Sequence, residues 1–316
     1  MALSPPTINK DDDKKIDSGI IDWMGANQIK NEKGDFMEWR NHKFLLDIYE
    51  DESAEIAVMK AAQVGMSTLQ ILKNHRDAKR FKMDIIYTLP TDGDVRVFVG
   101  GKVNRIIANN QCMIDDVADK DSIEQKQVGN SMIYFRGTWT KKAAIMVTAD
   151  RLVHDEKDSS KLDVIADYKA RLQHSKLKQV HTFSHPSLPE TGIHNDFLVS
   201  DQKHWFVTCP HCGYSQFLSW NTENPKQMSI DLERQVFICK RCHGILEDYI
   251  RIQGKWAKKH LDRSISGYWV PLLICPWVSA KDIIAKYRHP ETTPEFFATK
   301  ILGLPYADAA AKLLRQ

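Results

Sequence analysis

A short segment between a strand-like run and a helix-like run, residues 60–68, carries the residue types that bind nucleotide phosphates. The usual phosphate loop reads G-x-x-x-x-G-K-[ST]. Its backbone N–H groups surround the phosphates, its lysine contacts the β- and γ-oxygens, and its hydroxyl binds Mg²⁺. This chain has Gly65 and Ser67 in register, but Met66 occupies the lysine position, and Lys60 stands at the first position of the pattern. The nucleotide-binding candidates are therefore Lys60, Ala61, Ala62, Gln63, Val64, Gly65, Met66, Ser67 and Thr68.

A second segment favours nucleotide binding over the simplest alternative, an ordinary strand-to-helix turn. Residues 151–156 follow the apolar run 143–147 and end in Asp155 and Glu156. This is the arrangement expected where a buried parallel strand delivers carboxylates at its C-terminal edge. The other interpretation is a solvated Asp-Glu pair at the start of a loop. The long separation from Lys60 argues against it, because it leaves room for the intervening elements of a doubly wound sheet.

These residue types together predict the hydrolysis of ATP. Lys60 and the loop backbone are expected to hold the phosphates, and Asp155 is expected to hold Mg²⁺ with the hydroxyl of Ser67 or Thr68. Glu156 is expected to polarise the attacking water. The predicted catalytic residues are therefore Glu156, Asp155 and Lys60.

The two C-x-x-C pairs form the most specific pattern in the chain. Two thiolates separated by two residues grip one ion from a tight turn, and two such turns supply the four tetrahedral ligands of a structural Zn²⁺. β-rich runs precede both pairs, so we expect a zinc ribbon over residues 206–250. The alternative is four thiols that share no ligand, and a closed site of this kind leaves no open position for catalysis. The predicted zinc ligands are Cys209, Cys212, Cys239 and Cys242.

The composition bounds the class of protein. With 42% hydrophobic and 27% charged residues, a chain of 316 residues is able to bury one sizeable core and a smaller module. The net charge of +3 permits a polyanionic partner but does not require one. The N-terminal residues lack the apolar core of a signal peptide, and the longest apolar stretch, residues 268–280, is too short to span a bilayer. We therefore expect a soluble, cytoplasmic protein without a membrane partner.

Strand-like and helix-like runs alternate along the chain. This alternation predicts an α/β fold, namely a phosphate-loop NTPase with a mostly parallel, doubly wound sheet and a small inserted zinc ribbon. A basic amphipathic helix is expected over residues 68–81. Strands are expected over residues 56–59, 84–91, 131–137, 151–156, 180–184 and 267–273, and further helices over residues 92–109, 162–174, 279–289 and 294–302.

With these residues assembled, the chain resembles the lambda-type large terminase subunits, the ATP-driven DNA packaging motors of tailed bacteriophages. The order of the matching segments carries more weight than any one of them. In chain order they are the displaced-lysine phosphate loop at 60–68, a strand at 86–91, a turn at 135–137, the acidic motif at 154–158, a segment like the coupling motif at 182–186, and landmarks at 192–193, 200–202, 209–213, 254–256 and 302–306.

The resemblance implies an ATP-hydrolysing motor subunit that uses Mg²⁺ and translocates double-stranded DNA into the procapsid. It implies as partners a small terminase subunit, the portal and further copies of the chain in a ring, all in the host cytoplasm. Thr182 and Ser184 would then form the coupling motif that senses the γ-phosphate. Because family members usually carry a C-terminal nuclease domain, this sequence resembles the ATPase portion alone. The expected division is an N-terminal extension at 1–35, the ATPase domain at 36–205, the ribbon at 206–250, and the end of the ATPase domain with a linker at 251–316.

Three points stay open at this stage. Arg136 and Arg151 are candidates for an arginine finger, with structural ion pairs as the alternative. Trp39, Arg40 and His42 lie upstream of the loop, where an ATPase often carries its adenine-facing side chains. The competing functions are a helicase-like zinc-ribbon ATPase that remodels DNA, and a non-enzymatic zinc-ribbon protein that binds nucleic acid.

Overall fold

The computed structural model describes residues 19–140 and 147–308. Most of the apolar run 143–147, much of the N-terminal extension and the last eight residues of the sequence lie outside the described residues. None of the helices in the described ranges has the length and apolar character that a bilayer-spanning helix needs.

A sheet of eight strands organises the described residues. Six neighbouring strands run parallel, and an antiparallel hairpin that the sequence did not predict extends one edge. In spatial order the strands are β13 Ser266–Val270, β1 Glu55–Lys60, β7 Gln179–Ser184, β6 Arg151–Asp155, β2 Ile85–Leu89, β5 Ser131–Gly137, β4 Gln125–Val128 and β3 Val117–Asp121. Strands β2, β6 and β13 are buried along their whole length, as in parallel sheets covered on both faces. The predicted α/β class with a mostly parallel sheet is confirmed.

Helices lie between most of the parallel strands. A capping box of Thr91 and Asp94 begins one of them, and Ser279 and Asp282 form the same arrangement at another. A π-helical turn follows two of them, at Val99–Val103 and Phe297–Ile301. The α-helices are α1 Ile20–Ala26, α2 Lys43–Glu50, α3 Met66–Phe81, α4 Asp92–Phe98, α5 Asn104–Ala108, α6 Gln111–Asp116, α7 Leu162–Lys169, α8 Gly192–Val199, α9 Asp248–Ile252, α10 Ala280–Arg288 and α11 Pro294–Phe296.

A smaller region of short antiparallel strands contains the cysteine pairs. One three-stranded sheet has the order β12 Lys255–Ala257, β8 His204–Thr208 and β9 Ser215–Phe217, and a hairpin is formed by β10 Ile230–Asp231 and β11 Val236–Phe237. The Lys203 amide donates to the Gly267 carbonyl at 2.8 Å, which attaches the start of β8 to the edge of the central sheet.

The helix predicted over residues 68–81 is confirmed as α3, but the polar residues in its middle do not face solvent. Lys73, Asn74, His75, Arg76 and Asp77 are all at most 3% exposed. The prediction of an ordinary amphipathic helix was wrong on this point, because distant residues supply partners that the local sequence does not show.

A network of buried charges replaces the solvated face of α3. Asp77, which is fully buried, accepts from Arg151 Nη2 at 2.5 Å and from Arg76 Nε at 2.6 Å. Arg76 also donates to Glu52 at 2.9 Å. Arg151 is 1% exposed at the start of β6, so it is not free to reach another subunit as an arginine finger and instead makes the structural ion pair. The guanidinium of Arg136 donates to the Glu124 carbonyl at 2.7 Å.

We expect Asp77→Asn to lower the free energy of unfolding by about 3 kcal/mol or more, because it leaves the buried guanidinium of Arg151 without its counter-charge and leaves Arg76 with Glu52 alone. Urea unfolding measures this difference. The matched control is Asp262→Asn at an exposed carboxylate, which should change the free energy by less than about 0.5 kcal/mol. An Asp77→Asn protein as stable as the wild type would show that the network contributes nothing.

Candidate functional site

The parallel register brings the predicted site residues to one edge of the sheet. β7 lies between β1 and β6, with Met59 opposite Ser184 on one side and Asp155 opposite Phe183 on the other. Lys60, Asp155 and Ser184 are the last residues of their three strands. The carboxyl ends of parallel strands form the usual ligand crevice of an open α/β sheet. The three predicted segments therefore share one location.

The loop between β1 and α3 turns sharply through Gly65. This residue has φ of +92°, and a Cβ built on it would lie 3.2 Å from Leu45 Cδ1, so glycine is favoured both by conformation and by space. The first amides of α3 have no partner within the helix and point out of its N-terminus, which makes this end suited to an anion. The amides of Ala61 and Ala62, in contrast, donate to the carbonyls of Val270 and Lys300, at 2.8 and 2.9 Å.

Asp155 is held by two hydroxyl groups. Its Oδ2 accepts from Ser67 Oγ at 2.8 Å and from Tyr87 Oη at 2.7 Å. Burial raises the pKa of Asp155, and the positive charge of Lys60 opposes that shift. Thr68, the other hydroxyl considered for this role, is buried and lines a neighbouring cavity instead. Ser67 and Asp155 thus form an oxygen pair of the kind that binds Mg²⁺.

Glu156 stands at a turn in the left-handed region, with φ of +56°. Its Oε1 accepts from Lys60 Nζ at 2.8 Å and lies 3.4 Å from His185 Nε2. Burial alone would raise the pKa of Glu156, but the charge of Lys60 beside it and the smaller contribution of His185 hold the pKa below its ordinary value. Burial, with the charge of Lys60, lowers the pKa of His185 to about 4, so this imidazole is neutral near pH 7.

The end of β7 connects the acidic turn to α8. Ser184 Oγ accepts from the Asp158 amide at 3.2 Å, and the Asp158 carboxylate accepts from the amides of Ser187 and Ile193, at 2.8 and 2.7 Å. A Cβ on Gly192 would lie 2.4 Å from Asp158 Oδ1, so this contact requires glycine. Thr182 is buried two residues before Ser184, where it pairs with Ala57 and His154 in the sheet, and its side chain forms no hydrogen bond with Asp155 or Glu156.

A cavity of about 660 Å³ opens beside the loop. Its lining includes Trp39, His42, Gly65 and Thr68, which brings two of the three candidate adenine-facing residues next to the loop. Arg40 is exposed and does not line this cavity.

The four predicted zinc ligands lie together, with one ligand atom of each within 4.8 Å of the others. The sulfurs of Cys209 and Cys242 are 3.7 Å apart, as are those of Cys212 and Cys239. Four sulfurs placed about 2.3 Å from a central Zn²⁺ in a tetrahedron would lie about 3.8 Å from one another. The donor set and its spacing therefore fit zinc.

Three residues of the site were missed in the sequence. Tyr87 and Thr88 carry the two hydroxyls of an otherwise apolar strand, and Tyr87 is the one that bonds to Asp155; these polar residues were the available signal. His185 follows β7 directly. Gly303, within the landmark at 302–306, has φ of +60° and packs so closely that a Cβ would lie 2.9 Å from the Ala61 amide nitrogen. No local pattern indicates the last two contacts.

The family described as phage terminase large subunit gpA, ATPase domain, matches residues 45–258. No curated protein sequence matches the chain. The ATPase domain of the large terminase of Thermus phage P74-26 is similar in fold, with a TM-score of 0.51 and 11% identity over 85% of this chain and 94% of that chain. A point mutant of that domain has a TM-score of 0.52 at 10% identity, over 86% of this chain and 95% of that chain.

Proposed function

The chain belongs to the ATPase-domain family of phage terminase large subunits, and we propose that it hydrolyses ATP to translocate double-stranded DNA into a procapsid. The observation that carries the proposal is the meeting of Lys60, Ser67, Asp155 and Glu156 at the carboxyl edge of one parallel sheet. The non-enzymatic alternative rested on Met66. It loses that support, since Lys60 brings an ammonium group to the same edge.

Lys60 and the N-terminus of α3 would bind the phosphates. An ammonium group carries three donors, so Lys60 is able to keep its bond to Glu156 and still donate to phosphate oxygens. Ser67 and Asp155 would hold Mg²⁺, which when bound neutralises charge on the β- and γ-phosphates. We propose the cavity lined by Trp39 and His42 for the adenosine moiety, since it adjoins the loop and offers aromatic walls together with polar groups, among them the carboxylates of Glu32, Asp35 and Glu38.

Glu156 is the proposed base that orients the attacking water. The charge of Lys60 keeps this carboxylate ionised near neutral pH, so it is able to accept a hydrogen bond from water. The neutral ring of His185 lies against the same carboxylate and limits the orientations that it adopts.

Ser184 is the better supported half of the proposed coupling motif. Its hydroxyl accepts a hydrogen bond from the Asp158 amide, and the Asp158 carboxylate accepts one from the first turn of α8. A change at the γ-phosphate would therefore be transmitted to α8 through these hydrogen bonds. Thr182 stays part of the proposal as a buried neighbour on the same strand.

We propose further that the four clustered cysteines bind one structural Zn²⁺. Residues 206–250 would then form a zinc ribbon inserted between two parts of an ATPase domain, at 36–205 and 251–316.

The small terminase subunit, the portal and further copies of this chain in a ring are the proposed partners, in the cytoplasm of the host. These partners are inferred from the proposed packaging role, and not from any contact among the described residues. ATP turnover that rises on addition of double-stranded DNA, without unwinding of a forked duplex, would separate this function from a helicase-like one.

Glu156→Gln should leave the binding of ATP largely intact and lower its turnover by about two orders of magnitude or more, because the amide cannot serve as the base. Steady-state phosphate release with and without DNA measures the loss, and calorimetric titration of Mg-ATP checks that the nucleotide still binds. Normal turnover in this variant would remove Glu156 from the mechanism.

Lys60→Ala should abolish detectable binding of Mg-ATP, because it removes the cation that makes charge-assisted hydrogen bonds to the phosphates. The control is Met66→Leu, which conserves volume at a position 3% exposed and should bind as the wild type does. Calorimetric titration compares the three proteins. Equal affinities of Lys60→Ala and wild type would mean that this loop holds no nucleotide or that another cation serves it.

The purified protein should contain one zinc ion per chain, and Cys209→Ser or Cys242→Ser should release it and unfold the ribbon, since metal binding and local folding are linked. Elemental analysis by mass spectrometry measures the metal. Cys112→Ser, at a half-buried thiol outside the cluster, is the control and should keep the zinc. Freshly purified protein without zinc would contradict the assignment.

A further inference from the structure

Two π-helical turns stand beside the candidate nucleotide site, and each carries a lysine as its fourth residue. These are Lys102 in Val99–Val103 and Lys300 in Phe297–Ile301. π-helical turns are rare and occur frequently at functional sites. The two turns are distant in sequence and reach the same edge of the sheet by different contacts.

The first turn is oriented by aromatic packing. The ring of Phe98 stacks on Tyr87 at 4.9 Å, and the Tyr87 hydroxyl donates to Asp155. Lys102 follows Phe98 by four residues, and residues four apart share one face of a helix. Lys102 therefore lies on the face of this helix that packs toward Asp155.

The second turn is bound to the phosphate loop itself. The Lys300 carbonyl accepts the Ala62 amide at 2.9 Å, and Gly303, three residues on, packs against the backbone of Lys60 and Ala61. The Trp269 indole donates to the carbonyls of Leu302 and Gly303, at 2.9 and 3.1 Å, which fixes this segment against β13. Lys300 thus approaches the site from the β13 side, whereas Lys102 approaches it from the β2 side.

Within residues 19–140 and 147–308, neither ammonium group has a bonded partner. Neither Lys102 nor Lys300 makes a side-chain hydrogen bond or ion pair with another described residue, although both side chains are half-buried. Burial lowers the pKa of each lysine. The carboxylates of Glu32 and Asp155 oppose this shift at Lys102, and that of Glu156 opposes it at Lys300. These carboxylates act on the lysines from nearby, but none of them forms an ion pair with either ammonium group, so an anion bound directly beside both would stabilise them.

The charge balance of the site calls for further cations. The charge of Lys60 is offset by Glu156 at 2.8 Å, Asp155 adds a negative charge, and Met66 supplies none. Mg-ATP is itself an anion. If Lys60 were the only cation, a site with a net negative charge would have to bind an anion.

We propose that Lys102 and Lys300 are a pair of phosphate-binding lysines that contact the polyphosphate of ATP within the same chain. The inference rests on the proposed function and deepens it. Together the two lysines supply the cationic contacts that the lysine of an ordinary phosphate loop would make from the position of Met66.

The test is calorimetric titration of Mg²⁺ with a slowly hydrolysed ATP analogue into Lys102→Gln, Lys300→Gln and the double variant. Each single change should weaken binding about tenfold and the double change about a hundredfold, as expected for two separate charge-assisted contacts. Lys102→Arg and Lys300→Arg, which keep the charge, should recover most of the affinity. Lys226→Gln, at an exposed lysine in the 3₁₀ turn Pro225–Gln227, is the control and should bind as the wild type does.

Adenosine separates contact with phosphate from support of the fold. A phosphate-binding lysine affects the analogue and leaves the weak binding of adenosine unchanged, whereas a lysine that merely supports the fold weakens both. If wild type binds the analogue and Lys60→Ala does not, but both glutamine variants bind normally, the lysine pair is overturned and the proposed function stands. If the wild type does not bind the analogue, the proposed function itself fails. A loss at only one of the two positions would also overturn the pair.

Discussion

The parallel pairing of β7 with β1 on one side and β6 on the other is the constraint on which the site depends. It sets Lys60, Ser184 and Asp155 at the ends of three adjacent strands. A slip of β6 by one residue would turn Asp155 to the opposite face of the sheet, and a slip by two would move it about 7 Å along the strand. Either change would separate Asp155 from Ser67. The chemistry at this edge is therefore a consequence of strand register, which the buried apolar faces of the sheet enforce.

Helix α3 strengthens that constraint because it is bonded to β6 near both of its ends. Ser67, in its first turn, donates to Asp155 at the carboxyl end of β6, and Asp77, ten residues later, pairs with Arg151 at the amino end. Ten residues of helix rise about 15 Å, and the four steps from Arg151 to Asp155 span about 13 Å of strand. The two lengths match, so both contacts form without bending either element. The buried charges of α3 thus hold the proposed phosphate loop in a fixed position over the end of β6.

The sequence predicted the features that depend on short-range patterns. Apolar runs located the six parallel strands, and the C-x-x-C spacing located the four clustered thiols, because each pattern is complete within a few residues. The hairpin of β3 and β4 was missed, since Gln125–Val128 is mostly polar and has no apolar run. The buried face of α3 was misjudged because its counter-charges, Glu52 and Arg151, lie far away in the chain. Contacts of Tyr87, His185 and Gly303 depend in the same way on strand order, which local sequence does not contain.

Packing also explains why position 66 of the proposed phosphate loop is not a lysine. Met66 is 3% exposed and belongs to the main hydrophobic core, so position 66 faces inward at the start of α3. A lysine at this position would carry its ammonium into that core without a counter-charge, at a cost of several kcal/mol. A cation for the loop therefore has to come from elsewhere in the fold. The end of β1 is suited to provide it, because the strand is buried after its first residue and Glu156 on the neighbouring turn holds the ammonium of Lys60 at 2.8 Å. The orientation of one helix against the core thus decides which residue of the loop is able to carry the charge.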